Sequence, residues 1–76
     1  MTNLIVPSRD EIIIGQTVWG IEKKNYGNGQ LTQGIVARIL TSSPFHPRGI
    51  KVMFANGIVA RVQSLWSEEY SKVADI

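Results

Sequence analysis

The segment IKVMFANGIVARV, residues 50–62, decides the fold class of this 76-residue chain. In its first half, apolar residues at every second position alternate with Lys51 and Met53, a pattern typical of a half-buried β-strand. Asn56-Gly57 then marks a tight turn, because both residue types tolerate a positive φ. A second β-branched run follows. The segment therefore predicts an antiparallel hairpin.

Two registers of this hairpin put opposite faces of its second strand inward. A two-residue loop would place Val59 and Arg61 on the face of Val52 and Phe54. A three-residue loop with a bulge would instead place Ile58, Ala60 and Val62 there. A slip of one residue exchanges the two faces completely. We expect the three-residue loop, because it keeps Arg61 out of the core.

Two more strands are predicted upstream of the hairpin. LTQGIVARILT, residues 31–41, is apolar on both parities, which indicates a central or strongly bent strand. TVWGIEKK, residues 17–24, is rich in residues that favour strands, and Gly20 marks a bulge or a close backbone approach. The turn NYGNGQ, residues 25–30, joins them. These strands and the hairpin indicate an all-β, strongly bent barrel of four or five short strands.

The two ends of the chain are predicted to lie outside the barrel. Residues 1–14 form a lead-in, where Ser8 opens a capping box and a single helical turn. The barrel spans residues 15–66, with a short helical turn over 63–66. Residues 67–76 are a polar tail, expected to be a frayed helix or disordered. Trp19 is expected in the core, and Trp66 as a plug at one end of the barrel.

Composition narrows the chemistry available to the chain. It has no Cys, one His and six Asp and Glu, so we expect neither disulfides nor a metal site nor a cofactor. No apolar run approaches the ~18 residues of a membrane span. The N-terminus also lacks the pattern of a signal peptide. The expected location is therefore the cytoplasm, with no membrane partner.

Charge is distributed unevenly. Residues 15–66 hold six cations and one anion, a net charge of +5, whereas the rest of the chain carries −3. A basic centre between acidic ends suggests a polyanionic partner. Charge carried only for solubility would be an equally good explanation.

GIVARIL, residues 34–40, resembles the core of the KOW motif, in which a Gly opens a strand and aliphatic residues follow at set positions. KOW segments occur in SH3-like barrels of ribosomal proteins and of NusG-type transcription factors, where they contact RNA or other proteins. The resemblance implies a small SH3-like barrel of four to five antiparallel strands with a short helical turn.

A longer stretch, residues 29–62, resembles the YwbE family of small, uncharacterised bacterial proteins. The shared residues include Phe45-His46-Pro47 and Gly49-Ile50-Lys51-Val52. Family members typically carry an acidic turn where this chain has Ala55-Asn56, and the tail extends past their usual end. The family has no established activity, so the resemblance implies a scaffold and a marked loop, but no mechanism.

The loop SSPFHPR, residues 42–48, holds the only His of the chain and two of its three Pro. It has a structural interpretation: the two Pro stiffen the loop, Phe45 pins it to the barrel end, His46 bonds a backbone carbonyl and Gly49 supplies a positive φ. It also has a functional one. A pre-ordered loop loses less entropy on binding, and His46 and Arg48 would meet phosphate. An outward Phe45 would instead stack on an unpaired base. We expect Phe45 to face inward as the pin.

Catalysis is not expected. His46 as a general base would need a nucleophile or a carboxylate within about 3 Å, and the nearby sequence offers Ser42 and Ser43 but no Asp or Glu. We therefore expect a non-catalytic nucleic-acid-binding module, for RNA or a ribonucleoprotein. Its expected phosphate-binding residues are His46, Arg48, Lys51, Arg38, Arg61, Ser42, Ser43, Lys23 and Lys24.

Two alternatives remain at this stage. The first is a protein-interaction adaptor of SH3-like type, with an apolar patch around Phe45, Trp66 or Met53. The second is an enzyme that uses His46. Arg38, Arg61 and the Lys23-Lys24-Tyr26 hairpin flank also have a plain interpretation, as the outward residues of exposed strands and turns.

Overall fold

The computed structural model describes residues 6–65, which form a closed four-stranded antiparallel β-barrel. The strands are β1 (Thr17–Ile21), β2 (Thr32–Ile39), β3 (Lys51–Phe54) and β4 (Val59–Leu65), with 3-10 turns at Arg9–Glu11 and Lys23–Asn25. Each strand pairs with the next, and β4 pairs with β1 to close the barrel. The predicted all-β, SH3-like architecture is confirmed, with four strands.

The hairpin of β3 and β4 has the expected three-residue loop. The Phe54 N–H donates to the Ile58 carbonyl at 2.7 Å, and Gly57 turns the chain at a φ of 89°. Val52 therefore lies opposite Ala60, and Ala60 is buried. Arg61 points away from the core and is only partly buried, as predicted.

The apolar pattern of β2 on both parities is explained by a strong bend. The pairing of β2 with β3 shifts register between Val36 and Arg38, which makes Ala37 the extra residue of a bulge. Before the bulge, Val36 is buried and Ile35 is exposed. Beyond it, Ile39 packs against the core. One strand thereby contributes apolar side chains of both parities to the barrel.

Phe54 forms the centre of the core, and two glycines make room for its ring. A Cβ at Gly34 would lie 2.3 Å from Phe54 Cδ2, and one at Gly20 would lie 3.1 Å from Phe54 Cζ and 2.9 Å from the Ala60 Cβ. Gly20 also lies at a register shift between β1 and β4, so it marks both a bulge and a close approach. The remaining core residues are Ile12, Val18, Val36, Ile50, Val52, Ala60 and Val62.

Three predicted features differ in the structure. Trp19 is not a core residue: it has the outward parity of β1 and is only partly buried, because Val18 and Gly20 take the inward positions. β1 ends at Ile21, and the last two residues of the predicted strand, Lys23 and Lys24, instead begin the 3-10 turn Lys23–Asn25, in which the Asn25 N–H donates to the Glu22 carbonyl.

The third difference is at the end of the barrel. Residues 63–65 are part of β4, not of a helical turn, because barrel closure pairs Ser64 with Trp19 and Leu65 with Val18. The predicted end-plug Trp66, the tail over 67–76 and residues 1–5 of the lead-in lie outside the described residues.

The described part of the lead-in packs against the barrel. Ile12 belongs to the core cluster. The single turn predicted from Ser8 is the 3-10 turn Arg9–Glu11, and the Ser8 N–H donates to Glu11 Oε1 at 2.9 Å. Over residues 6–65, no helix has both the length and the apolar character needed to cross a membrane.

Candidate functional site

The loop over residues 42–48 is held at its C-terminal end by side chains from β4. Gln63 Nε2 donates to the Arg48 carbonyl at 2.8 Å, and Arg61 Nη1 donates to the Gly49 carbonyl at 2.9 Å. The Gly49 N–H donates to the His46 carbonyl, which closes a turn, and Gly49 has the predicted positive φ of 104°. These bonds fix the backbone of the loop on the barrel.

The N-terminal end of the loop is held by β3 and by the lead-in. Thr41 Oγ1 accepts a hydrogen bond from the Lys51 N–H at 2.8 Å. Arg9 donates twice to this region, from its N–H to the Pro44 carbonyl at 2.8 Å and from Nε to the Thr41 carbonyl at 3.0 Å. The loop is therefore pre-ordered from both sides, which reduces the entropy lost when a ligand binds.

His46 stiffens the loop, but not through the bond expected from the sequence. Its Nδ1 accepts the Arg48 N–H at 3.1 Å, where a donation to a backbone carbonyl was predicted. A neutral ring in this arrangement carries its proton on Nε2. The His46 side chain is partly buried, and its bond to the Arg48 N–H holds the turn that carries Arg48.

Phe45 is not the pin that was predicted. Its side chain is 48% exposed, and it lines an open hollow shared with the lead-in and with Pro44. Ile12 of the lead-in and Ile50, just before β3, are buried in the core instead. Ser42 lines the same hollow as Phe45, together with Ser8, Arg9 and Asp10.

Basic side chains converge at two adjoining hollows, of about 300 Å³ and about 220 Å³, which together are called the basic groove below. Tyr26 and Arg61 line both hollows. The first is completed by Ile21, Arg48 and Gln63, and the second by Lys23, Lys51, Val59 and Ala60. Among the described residues, no Asp or Glu lines either hollow, so every charged side chain that lines the groove is a cation.

Strand register explains why these cations meet. Arg61 on β4 lies opposite Lys51 on one side and Ile21 of β1 on the other. Just after β1, the 3-10 turn Lys23–Asn25 brings Lys23 and Tyr26 to the same groove. Four cations that are scattered in sequence thus line one groove.

The nine residues chosen from the sequence fall into two groups. Lys23, Arg48, Lys51 and Arg61 line the basic groove. The others do not line it. Arg38 of β2 is paired with Met53 of β3, and Ser42 lines the hollow of Phe45. His46 supports the loop backbone, and Lys24 and Ser43 are exposed outside the groove.

Two polar residues of the groove, Tyr26 and Gln63, are absent from the set chosen from the sequence. From the sequence, Tyr26 is a flank of the first hairpin that could extend a basic stripe, but it is not among the nine predicted phosphate-binding residues. Gln63 is predicted in a helical turn. Alternation could have indicated Gln63, because it continues the outward parity of Arg61 along β4. No local pattern indicates Tyr26, whose place depends on the 3-10 turn after β1.

Residues 6–65 contain no group of three or more His, Cys, Asp and Glu side chains arranged to hold a metal ion. The three acidic side chains of this part of the chain lie in turns: Asp10 and Glu11 bond Ser8, and Glu22 accepts the Thr32 hydroxyl at 2.9 Å. None of them is bonded to His46.

Comparison with known proteins identifies the family. Residues 6–65 match the model of a family described as "Uncharacterized conserved protein (DUF2196)". The chain is 42% identical over 59 residues to "Uncharacterized protein YwbE" of Bacillus subtilis (strain 168), an alignment that covers 78% of this chain and 91% of the relative. No solved structure shows significant similarity. The chain therefore belongs to the YwbE-like family of uncharacterized conserved proteins, DUF2196.

Proposed function

We propose that this protein is a non-catalytic nucleic-acid-binding module that holds the phosphate backbone of RNA in the basic groove. One observation carries the proposal: Lys23, Arg48, Lys51 and Arg61 line one groove that contains no acidic side chain among the described residues. Clustered cations on one face are the electrostatic footprint of a nucleic-acid-binding surface.

The guanidinium of Arg61 and the backbone that carries Arg48 are fixed before any ligand binds. Arg61 is oriented by its bond to the Gly49 carbonyl, and the backbone at Arg48 is held by Gln63 and by His46. Guanidinium groups suit phosphate because they donate in a planar fork, and pre-ordering lowers the entropic cost of that contact.

The groove predicts a measurable salt dependence. For single-stranded nucleic acid, each neutralised phosphate contributes about −0.7 to the slope of log K against log salt. Four groove cations therefore predict a slope of roughly −3 for a short RNA. Fluorescence anisotropy with a labelled oligonucleotide at several salt concentrations measures this slope directly. No detectable binding of RNA or DNA at low salt would refute the proposal.

Matched charge variants separate the groove from the general charge of the protein. Lys23→Gln and Lys24→Gln remove the same charge from neighbouring exposed positions, but only Lys23 lines the groove. Arg48→Gln and Arg38→Gln form a second such pair. We expect Lys23→Gln and Arg48→Gln each to flatten the slope by about 0.7, and their partners to leave it nearly unchanged. Equal effects within each pair would argue against a defined groove.

A second candidate function, a protein-interaction adaptor, is supported by an apolar surface on another side of the barrel. Ile13 and Ile14 are 64% and 62% exposed, and the turn that carries them bonds β2 at Val36, next to Ile35, which is 49% exposed. Exposed apolar patches often mark protein contacts. A protein partner captured at high salt and after nuclease treatment, but lost in an Ile13→Ser variant, would favour this function.

A further inference from the structure

Tyr26 has an unusual position for an aromatic residue in so small a barrel. It is 41% exposed and lines both hollows of the basic groove. Its backbone is fixed at the end of the 3-10 turn Lys23–Asn25, where the Tyr26 N–H donates to the Lys23 carbonyl at 3.2 Å. Tyr26 is not a member of the core cluster, in which Phe54 is the buried aromatic residue.

Cations and an exposed aromatic ring in one groove match the two parts of an unpaired nucleic-acid strand. The phosphates of such a strand meet the cations, and its unstacked bases stack on aromatic side chains. A duplex offers the same phosphates but keeps its bases stacked on each other. The cations alone would therefore not distinguish the two forms, whereas Tyr26 would.

Resting on the proposed function, we infer that the basic groove selects unpaired strands over duplexes, with a base stacked on Tyr26. The flanking phosphates then meet Arg48 in one hollow and Lys23 and Lys51 in the other, while Arg61 lines both hollows. Stacking is tolerant of base identity and of the sugar, because every base has a π-face. The selected ligand class is therefore single-stranded nucleic acid of little sequence preference, and single-stranded DNA should bind comparably to RNA.

The test compares four probes of known chemistry: an oligouridine, an oligothymidine, an RNA duplex of equal length, and inorganic polyphosphate. Tyr26→Leu removes the ring, and Tyr26→Phe keeps it. We expect Tyr26→Leu to weaken both single strands by about 5- to 150-fold, the range seen when stacking aromatics are removed elsewhere. The affinity of the Tyr26→Leu variant for the duplex and for polyphosphate should stay unchanged. The Tyr26→Phe variant should bind all four probes as tightly as the unaltered protein does.

A second measurement needs no variant. In an NMR titration of the unaltered protein, oligouridine should shift the Tyr26 ring protons through the ring current of the stacked base, and polyphosphate should not. This result remains informative even if Tyr26→Leu perturbs the fold. Circular dichroism of both Tyr26 variants checks for that effect.

The outcomes separate this inference from the proposed function. If the four probes bind but Tyr26→Leu weakens all of them equally, or none of them, the proposed function stands and the stacking inference is refuted. If single strands and the duplex bind equally well, the inference is also refuted. If Lys51→Gln and Arg48→Gln leave the binding of every probe unchanged, or if no probe binds, the proposed function fails and the inference with it.

Discussion

Gly34→Ala tests the central packing of the barrel. The added Cβ would lie 2.3 Å from Phe54 Cδ2 and 2.4 Å from Cγ. The ring cannot move aside easily, because Phe54 is only 1% exposed and a Cβ contact under 3.0 Å requires a displacement. Overpacking of this kind lowers the free energy of unfolding by about 1–3 kcal/mol, and contacts this short place the loss at the upper end, about 3 kcal/mol. Ala has a lower conformational entropy than Gly in the unfolded state, which stabilises the folded protein by about 0.4–1 kcal/mol and offsets part of this loss.

The net loss in the free energy of unfolding is therefore about 2 kcal/mol, which corresponds to a fall in Tm of about 8–16 °C for a domain of this size. Urea denaturation followed by circular dichroism measures it. Gly27→Ala is the matched control, because Gly27 has no positive φ and a Cβ there would meet nothing within 4 Å. We expect this control to change the stability by less than about 1 kcal/mol.

A second substitution, Phe54→Leu, tests whether the ring of Phe54 is the cause of the loss at Gly34. If the ring of Phe54 causes the loss, Gly34→Ala should cost much less in a Phe54→Leu background, where a smaller side chain faces the new methyl group. The coupling energy in this double-mutant cycle should exceed about 1 kcal/mol. A Gly34→Ala variant as stable as the unaltered protein, or a cycle with no coupling, would refute the packing argument.

Three further predictions concern the lead-in and the loop. Ile12→Ala should lower the free energy of unfolding by about 2–5 kcal/mol, because Ile12 is buried in the core. Ile13→Ala, at an exposed position, should change it by less than about 0.5 kcal/mol. Equal denaturation curves for the two variants would contradict the packing of the lead-in. Gly49→Ala should abolish or severely weaken folding, since it combines a φ of 104° with a Cβ 2.4 Å from the Val62 carbonyl oxygen, and a native-like thermal transition would show otherwise. His46→Ala removes the acceptor of the Arg48 N–H, so that amide should exchange faster with solvent by NMR, while unchanged protection would argue against the His46 bond.

Side chains from the lead-in and from β4 hold the loop over residues 42–48 and the residues that flank it. Its backbone is bonded by side chains of Arg9 from the lead-in and of Gln63 and Arg61 from β4. Arg61 therefore has two roles, since it holds the loop and lines the basic groove. For this reason Arg48→Gln and Lys51→Gln are better probes of binding than a substitution of Arg61, which would also loosen the loop.

Local patterns predicted most of the fold. The alternation at 50–54 and the Asn56-Gly57 turn predicted the hairpin but left two registers open. The expectation that Arg61 stays out of the core then favoured the three-residue loop, which the structure has. The mixed parity of residues 31–41 indicated a bent strand, and the structure has a bulge there. These features depend on φ preferences and on the two-residue period, both of which act between near neighbours in the chain.

The errors share a different cause. Trp19 was placed in the core, and Phe45 was assigned as the pin, because large aromatic residues are usually buried. Among residues 6–65, Phe54 is the one aromatic residue buried in the core, and Gly20 and Gly34 leave space for its ring. Which aromatic residue occupies it depends on the parity that each strand takes in the closed barrel, and no short stretch of sequence carries that information.

An all-β chain with a bent central strand, a bulged hairpin, a stiff loop and an excess of cations between residues 15 and 66 can be predicted from local sequence patterns and composition. Which of those cations meet depends on how the strands close into a barrel. Lys23 comes to lie with Arg48, Lys51 and Arg61 because β1 pairs with β4 to close the barrel, and because a 3-10 turn follows β1. Contacts between distant strands are set by register and barrel closure, which are global properties of the fold, whereas turns and alternation are local ones.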